Sequence, residues 1–316
     1  MNWHKWKQST VAVAVALCLA FMAFLSGCSQ QQASQTDSGQ KGAVAATVAD
    51  SDAALHVYML NVGQADATLI QYKGQNMLID TGDVDHRDEL VKQLKEHHVK
   101  TLDAVMISHP HGDHMGGMAA LFKAFPIKQI YDNGQAANTA MYKNYLKNIK
   151  NKKIPYTVLK RGDSFTFAGD IAFQVLSPGE PFTKKNTQGL SESGLTNNNS
   201  IVCKMTYGDF SILFTGDAQK EAEDQMLKLY DKKTLHADVL KVGHHGSKTS
   251  SSPAFVQAVS PKEGTISCGV NNQYKFPHKP TLDTLKKNHV NVYRTDQDGV
   301  ISILSDGKSY QISKER

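Results

Sequence analysis

Three histidines and an aspartate lie within six consecutive residues, His109-Pro110-His111-Gly112-Asp113-His114, directly after the apolar run LDAVMIS. An extended chain alternates its side chains, so His109 and His111 point to the same side at the end of such a strand. Gly112 then lets the chain turn and brings Asp113 and His114 round. Imidazole nitrogen and carboxylate oxygen suit a borderline divalent ion: zinc, and also manganese or iron. Four such groups exceed what one tetrahedral ion takes while leaving room for water. Two adjacent ions are therefore the economical reading. The demand on the fold is strict, because a buried strand must end at this cluster.

The remainder of the chain reads as many short elements. ALHVYML, TLIQY, NMLID, SFTFA, IAFQVLS, SIVCKMTYG, FSILFTG and ADVLKVG are strand-like, and HRDELVKQLKEHHV is a short amphipathic helix. Met115 to Phe125 and Thr139 to Ile149 are further helical segments. Strands outnumber helices, which predicts an α/β fold with two mixed sheets covered by helices rather than a simple doubly wound sheet. Hydrophobic residues make up 40% of the 316, enough to bury a core. Four cysteines exclude a disulfide-rich scaffold. A net charge of +5, evenly spread, does not by itself mark a nucleic-acid binder. Cys203 and Cys268 sit in strand-like stretches and are expected either as buried free thiols or as a disulfide.

HPHGDHMGG resembles the HxHxDHxGG motif of the metallo-beta-lactamase superfamily. That resemblance implies an αββα sandwich over about residues 55–305 and two divalent metal ions, zinc or manganese. His109 and His111 match ligands of the first metal, and Asp113 and His114 match ligands of the second. Asp80, in LIDTG, matches a supporting aspartate, and Asp217, in ILFTGDA, matches the carboxylate that bridges the metals. Asp113 and Asp217 are thereby the catalytic candidates. The last family histidine falls in KVGHHGS, on His244, with His245 beside it as a supporting group or substrate contact. An extended backbone would point the two apart, so only one is expected to bind metal.

NVGQADATLI, NNNSIV, FTGDA, KVGHHGS and the late ISCGVNNQY–PH run are similar to the detached hydrolase-like domain of the ComEC/Rec2 competence proteins, which take DNA into bacteria. Two departures stand out. The superfamily usually supplies a third histidine to the first metal, yet no histidine occurs between Met115 and Gly216. Thr196-Asn197-Asn198-Asn199-Ser200 takes that place, with Asn199 as the candidate weak ligand or water holder, so the first metal is expected to bind loosely. Phe276 stands where the family often has a histidine before Pro277, and His278 is expected to reach the cleft instead. The polar stretch 178–199 is expected to form a wall or lid, with Phe182 and Leu190 as its few apolar residues.

The N-terminus carries Lys5 and Lys7, then an apolar run of 15 residues from Val11 to Leu25. That is short for a membrane span and right for a secretory signal. Leu25-Ser26-Gly27-Cys28 resembles the bacterial lipobox, which implies cleavage and lipid on Cys28. The expected organisation is a signal peptide at 1–27, a flexible polar tether at 28–53 and the folded domain at 54–316. The expected location is the outer face of the cell membrane, lipid-anchored. The transport segments of the competence proteins are absent from this sequence, so the expectation is a tethered, monomeric enzyme rather than a channel.

Paired metals acidify a shared water and present it as hydroxide, so no serine or cysteine nucleophile is needed. Ser247 and Cys203 are accordingly expected to be structural. Phosphodiesters, lactams, lactones and thioesters all suit such a site. Lys248, with Lys275 and Lys279, is placed to hold phosphate oxygens. The expected function is an exported phosphodiesterase or nuclease acting on DNA or on a cell-wall phosphodiester. The alternatives are a lactam or lactone hydrolase and a non-catalytic binding lipoprotein.

Overall fold

The computed structural model describes Val48 and residues 54–316. The expected signal peptide, Cys28 and all of the tether but Val48 lie outside the described residues. Strands β1 (Leu55–Met59), β2 (Thr68–Tyr72), β3 (Gln75–Ile79), β4 (Ala104–Met106), β5 (Ile130–Asp132) and β6 (Tyr156–Val158) run in sequence across one sheet. Strands β7 (Ser164–Phe167), β8 (Ile171–Ser177), β9 (Val202–Tyr207), β10 (Phe210–Phe214), β11 (Val239–Lys241), β12 (Glu263–Ile266) and β13 (Asn291–Arg294) make a second sheet. The chain then returns to the first sheet, where β14 (Ile301–Ser305) pairs with β1 and β15 (Tyr310–Lys314) closes the edge. In both sheets an antiparallel part adjoins a parallel one: β3 to β6 are parallel, as are β10 to β13.

Alternation within the strands builds the layers. In β3, Met77 and Ile79 face the other sheet and share one core with Phe173, Ile212 and Phe214. Leu78, between them, faces the opposite way, toward Leu90 and Leu94 of α1 (Arg87–Glu96). In β10, Ile212 likewise joins the core between the sheets while Leu213 faces the opposite way, in one cluster with Ala222 and Met226. Both faces of these strands are buried, which explains their near-continuous apolar sequence. The outer layer on the first sheet is completed by α2 (Gly112–Met115), α3 (Met118–Ala124) and α4 (Ala140–Lys152). Over the second sheet, after α5 (Glu192–Asn198), lie α6 (Lys220–Leu229), α7 (Lys232–Leu235), α8 (Pro253–Val259) and α9 (Lys279–Lys287). The result is the helix–sheet–sheet–helix sandwich that the sequence led us to expect. Among the described residues, no helix is long and apolar enough to cross a membrane.

Two local departures bear on the site. The helix expected from Met115 to Phe125 is broken between α2 and α3 at Gly116-Gly117. A Cβ on Gly117 would lie 2.2 Å from the Thr81 carbonyl oxygen, and one on Gly116 would lie 2.4 Å from that of Gly112. Only glycines let this turn press against the loop after β3, where the Thr81 amide donates to the His114 carbonyl at 2.6 Å. The stretch 178–199 is not all loop, because its last residues form α5, capped by the Ser191 hydroxyl. Cys203 and Cys268 are both buried and unpaired, Cys203 between the sheets and Cys268 on the helix side of the second.

Candidate metal centre

Each element of the site follows the carboxyl end of a parallel strand, where an open sheet leaves a crevice. Asp80 follows β3, His109 to His114 follow β4, Asp217 follows β10, and His244 and His245 follow β11. The two sheets therefore contribute to one cluster. At its centre is Asp217, 2% exposed. Its Oδ1 lies 3.2 Å from His114 Nε2 and 3.7 Å from His245 Nε2, and its Oδ2 lies 3.6 Å from His244 Nε2 and 3.9 Å from His109 Nε2. One carboxylate thus faces two groups of imidazoles, one with each oxygen. His111 Nδ1 is 3.0 Å from His109 Nε2, and Asp113 Oδ2 is 3.3 Å from His245 Nε2. His109, His111 and Asp217 converge closely enough to hold one ion, and His114, His245 and Asp217 form a second group, with Asp66 near it but on the Nδ1 side of both rings.

The orientation of the rings is fixed from behind. Asp80 has a left-handed backbone, with φ of 57°. One oxygen accepts from the Ser108 amide at 2.7 Å, and the other accepts from the Ser108 hydroxyl at 2.8 Å and meets His114 Nδ1 at 2.9 Å. That contact leaves His114 Nε2 to face Asp217. His245 Nδ1 donates to the Ser267 carbonyl at 2.9 Å, which likewise presents Nε2 to the cluster. The Ser200 hydroxyl accepts from the Asp217 amide at 3.1 Å and meets His109 Nδ1 at 3.2 Å.

The charges agree with a cationic occupant. Burial works against charge on His114, but Asp217, Asp80 and Asp113 outweigh it and hold the imidazole well above the ordinary range. Burial also opposes charge on Asp217, yet His114, His244 and His245 hold its carboxyl well below the usual value. Burial pushes His109 well below the usual histidine range, so its nitrogens are free of the second proton. His114 Nε2, Asp217 Oδ1 and Asn197 Oδ1 are buried and make no hydrogen bond of good geometry, His114 and Asp217 facing one another at 3.2 Å. Buried polar atoms are seldom left so. A set of nitrogen and oxygen donors in this state fits a pair of divalent ions, with Asp217 able to touch both.

Several expectations are revised by the geometry. His244 does not exclude His245. Both have left-handed backbones, with φ of 50° and 52°, so the extended-strand argument fails and both rings turn toward Asp217. His245 lies with His114 and Asp113, while His244 lies on the His109 side, beside the gap left by the missing third histidine. Asn199 is not in that gap. Its side chain accepts from the Phe182 amide and donates to the Phe182 carbonyl, pinning the preceding loop. Asn197, two residues earlier on α5, faces the cluster instead, 3.4 Å from His244 Nε2. The Nδ1 of His278 accepts from the Lys248 amide at 3.0 Å, and its ring packs edge-on against Phe276 at 4.9 Å. Phe276 occupies the rim, its ring 20° from parallel with that of His245 at a centroid distance of 6.2 Å. Lys279 is paired with Asp283 at 2.7 Å, whereas Lys248 and Lys275 are exposed and unpaired among the described residues. Phe182 lines a cleft of about 400 Å³ with Pro110, His111, Leu195 and Thr196, whereas Leu190 is not part of that lining.

Sequence reasoning missed Asp66 and Lys241. Asp66 is 3% exposed, with Oδ2 2.6 Å from Lys241 Nζ. It lies 3.9 Å from His114 Nδ1 and 4.0 Å from His245 Nδ1, the nitrogens on the far side of both rings from Asp217. Its place is behind the histidines, as a support. A lone aspartate after Gly63-Gln64 reads as a turn residue, and only its burial marks it.

Comparison with known proteins agrees with the geometry. The description of the metallo-beta-lactamase superfamily matches residues 60–270. ComE operon protein 3 of Bacillus subtilis is 32% identical over 263 residues, covering 78% of this chain and 32% of that protein. Recombination protein 2 of Haemophilus influenzae is 31% identical over 249 residues, covering 77% of this chain and 28% of its own length. The chain thus spans about a third of the length of the curated relatives it matches. Among solved structures, Igni18, described as a metallo hydrolase of Ignicoccus hospitalis, aligns with a TM-score of 0.51 at 12% identity, over 78% of this chain and 98% of that one. The metallo-beta-lactamase fold protein YhfI of Bacillus subtilis aligns with a TM-score of 0.50 at 14% identity, over 78% and 99%. By matched sequence and by fold, this chain belongs to the metallo-beta-lactamase superfamily, with a sequence similar to that of the ComEC/Rec2 competence proteins.

Proposed function

We propose that this chain is an exported, metal-dependent phosphodiesterase of nuclease type, monomeric and held at the outer face of the membrane by lipid on Cys28. The observation that carries the reading is the shared carboxylate of Asp217, with one oxygen toward His114 and His245 and the other toward His109 and His244. Divalent ions bound there would supply Lewis acidity and activate water for hydrolysis. The chain's own groups do the rest. Asp217 balances charge between the two groups of ligands. Asp80, Ser267 and Asp66 hold the rings in place, and Asp113 adds a carboxylate beside His245.

Two supports favour a phosphodiester over a lactam or lactone. Lys248 and Lys275 stand exposed on the two segments that rim the site, with no acidic partner among the described residues. Uncompensated cations suit phosphate oxygens and have no evident use toward a neutral ring. The relatives' names, which speak of competence and recombination, point the same way. Retention of HPHGDH, Asp217 and His244 speaks against a purely binding role.

The test is metal analysis of the purified protein with an activity panel of bis-p-nitrophenyl phosphate, DNA, nitrocefin and a lactone. We expect hydrolysis of the phosphodiesters, loss of turnover and of metal in Asp217→Asn, and a raised KM for DNA with intact metal content in Lys248→Ala. Hydrolysis of nitrocefin or the lactone alone would reject the phosphodiester reading.

A further inference from the structure

The rim of the site carries an aromatic ladder with no packing role on its outer face. The loop after β12 runs from Cys268 to Pro277, and two of its large apolar side chains are exposed, Val270 at 65% and Tyr274 at 52%. Tyr274 is not loose. Its ring lies 5.3 Å from that of Phe276 at an angle of 19°, and Phe276 lies 6.2 Å from His245 at 20°. Three near-parallel rings thus lead from solvent to a histidine of the metal cluster. Phe276 also meets His244 edge-on at 5.4 Å and His278 at 4.9 Å. The loop is fixed by Asn272, whose side chain donates to the carbonyls of Gly269 and Phe276 and accepts from the Phe276 amide at 2.9 Å. An exposed aromatic ring on a braced loop gains nothing for folding from its outer face. It is, however, preorganised to take another flat ring.

The charges around the ladder restrict what that ring belongs to. Lys275 sits between the two aromatic residues in sequence, and the amide of Lys248 is tied to His278 at the foot of the same loop. Flat apolar rings interleaved with unpaired cations match a strand whose bases alternate with phosphates. A base within a duplex has no free face, so the fit is to an unpaired one.

We propose that Tyr274, backed by Phe276, is a stacking subsite that seats an unpaired nucleobase beside the metal centre and makes the protein select single-stranded nucleic acid among phosphodiesters. This rests on the phosphodiesterase reading above and narrows it. Tyr274 is then a specificity-determining residue; it touches the base and not the reacting phosphate.

The experiment compares the whole protein with Tyr274→Ala and Tyr274→Phe. Binding of a fluorescent oligothymidylate and of an abasic oligomer of equal length is followed by anisotropy in the presence of chelator, so that no cleavage intervenes. Stacking on one aromatic ring is worth roughly 5- to 150-fold in affinity. Tyr274→Ala should lose that much for the oligothymidylate and little for the abasic oligomer, while Tyr274→Phe stays near the wild type for both. A duplex should bind more weakly than the single strand. Equal affinities of the wild type for base-bearing and abasic strands would overturn the proposal, as would equal losses on both in Tyr274→Ala. Wild-type hydrolysis of bis-p-nitrophenyl phosphate is scored separately: its presence with a failed stacking result removes only the subsite, and its absence removes the phosphodiesterase reading itself.

Discussion

Lys241 is the residue whose replacement should be most instructive. It ends β11, is 3% exposed, and places Nζ 2.6 Å from Asp66 Oδ2. At an effective dielectric of about 20 the attraction at this distance is about 6 kcal/mol before desolvation is charged against it. Removing one partner of such a buried pair costs about 3–5 kcal/mol, because the other charge is left alone. Most of that cost should vanish when both charges go. Lys241→Met should therefore be strongly destabilised, and Asp66→Asn with Lys241→Met should lie close to the wild type. Both tryptophans, Trp3 and Trp6, lie in the expected signal peptide, so urea unfolding is best followed by circular dichroism. Asp66 also stands behind His114 and His245, so Asp66→Asn should weaken metal binding by roughly 10- to 100-fold, as loss of a supporting group does. A Lys241→Met protein within about 1 kcal/mol of the wild type would refute the argument. So would a double variant whose loss equals the sum of the two single losses.

The two adjacent histidines should separate in a metal titration. His245→Ala should empty the site shared with His114, while His244→Ala should loosen the ion near His109 and leave the other in place; loss of the same ion in both variants would contradict the split seen at Asp217. Glu223, in α6, accepts the amides of Ser251 and Ser252, yet burial pushes its carboxyl from 4.5 up to about 7. The folded state thus favours the protonated form. Its contribution to stability is complete below pH 4.5 and is lost as pH rises through about 7, on the order of 3 kcal/mol. Glu223→Gln should flatten that part of the stability–pH curve, and parallel curves for the two proteins would remove the assignment. Cys28→Ala should release the protein or leave its precursor uncut; a mature N-terminus without lipid on Cys28, read by mass spectrometry, would end the tethering proposal.

The parts of the site that were legible in the sequence were those compressed into short spacing. HPHGDH announced itself because few structural needs put three imidazoles in six residues. Asp217 and Asp80 were readable as strand-end aspartates once that cluster set the context. What failed was reasoning from regular backbone where the backbone is irregular. Alternation along an extended backbone would point His244 and His245 apart, but two successive left-handed residues aim both rings inward. Asn199 reads as the site asparagine only if this segment is a loop, whereas it ends in a helix. Asn197 lies in the last turn of α5 and Asn199 just past its end, so the two meet different neighbours. Asp66 and Lys241 are far apart in sequence and ordinary in type, and only the packing of β11 behind the loop after β1 makes them a pair. Phe276 and Tyr274 carry a weak signal in sequence, because nothing in their spacing shows that their rings stack.

The division of the ligands between the sheets has a mechanical consequence. His109, His111 and His114 hang from the first sheet, and Asp217, His244 and His245 from the second. An ion gripped by both groups would act as a rivet through the sandwich, adding to the apolar packing and to polar links such as Lys241–Asp66 that already join the faces. It would close a circuit of about a hundred residues, the kind of long loop whose ends are costly to keep together. At a free ion concentration a hundredfold above its Kd, each such rivet would add about 2.7 kcal/mol against opening. Sliding of one sheet over the other by even an ångström would spoil the grip. Metal supply would thereby set not only how fast this protein works but how long it lasts among proteases.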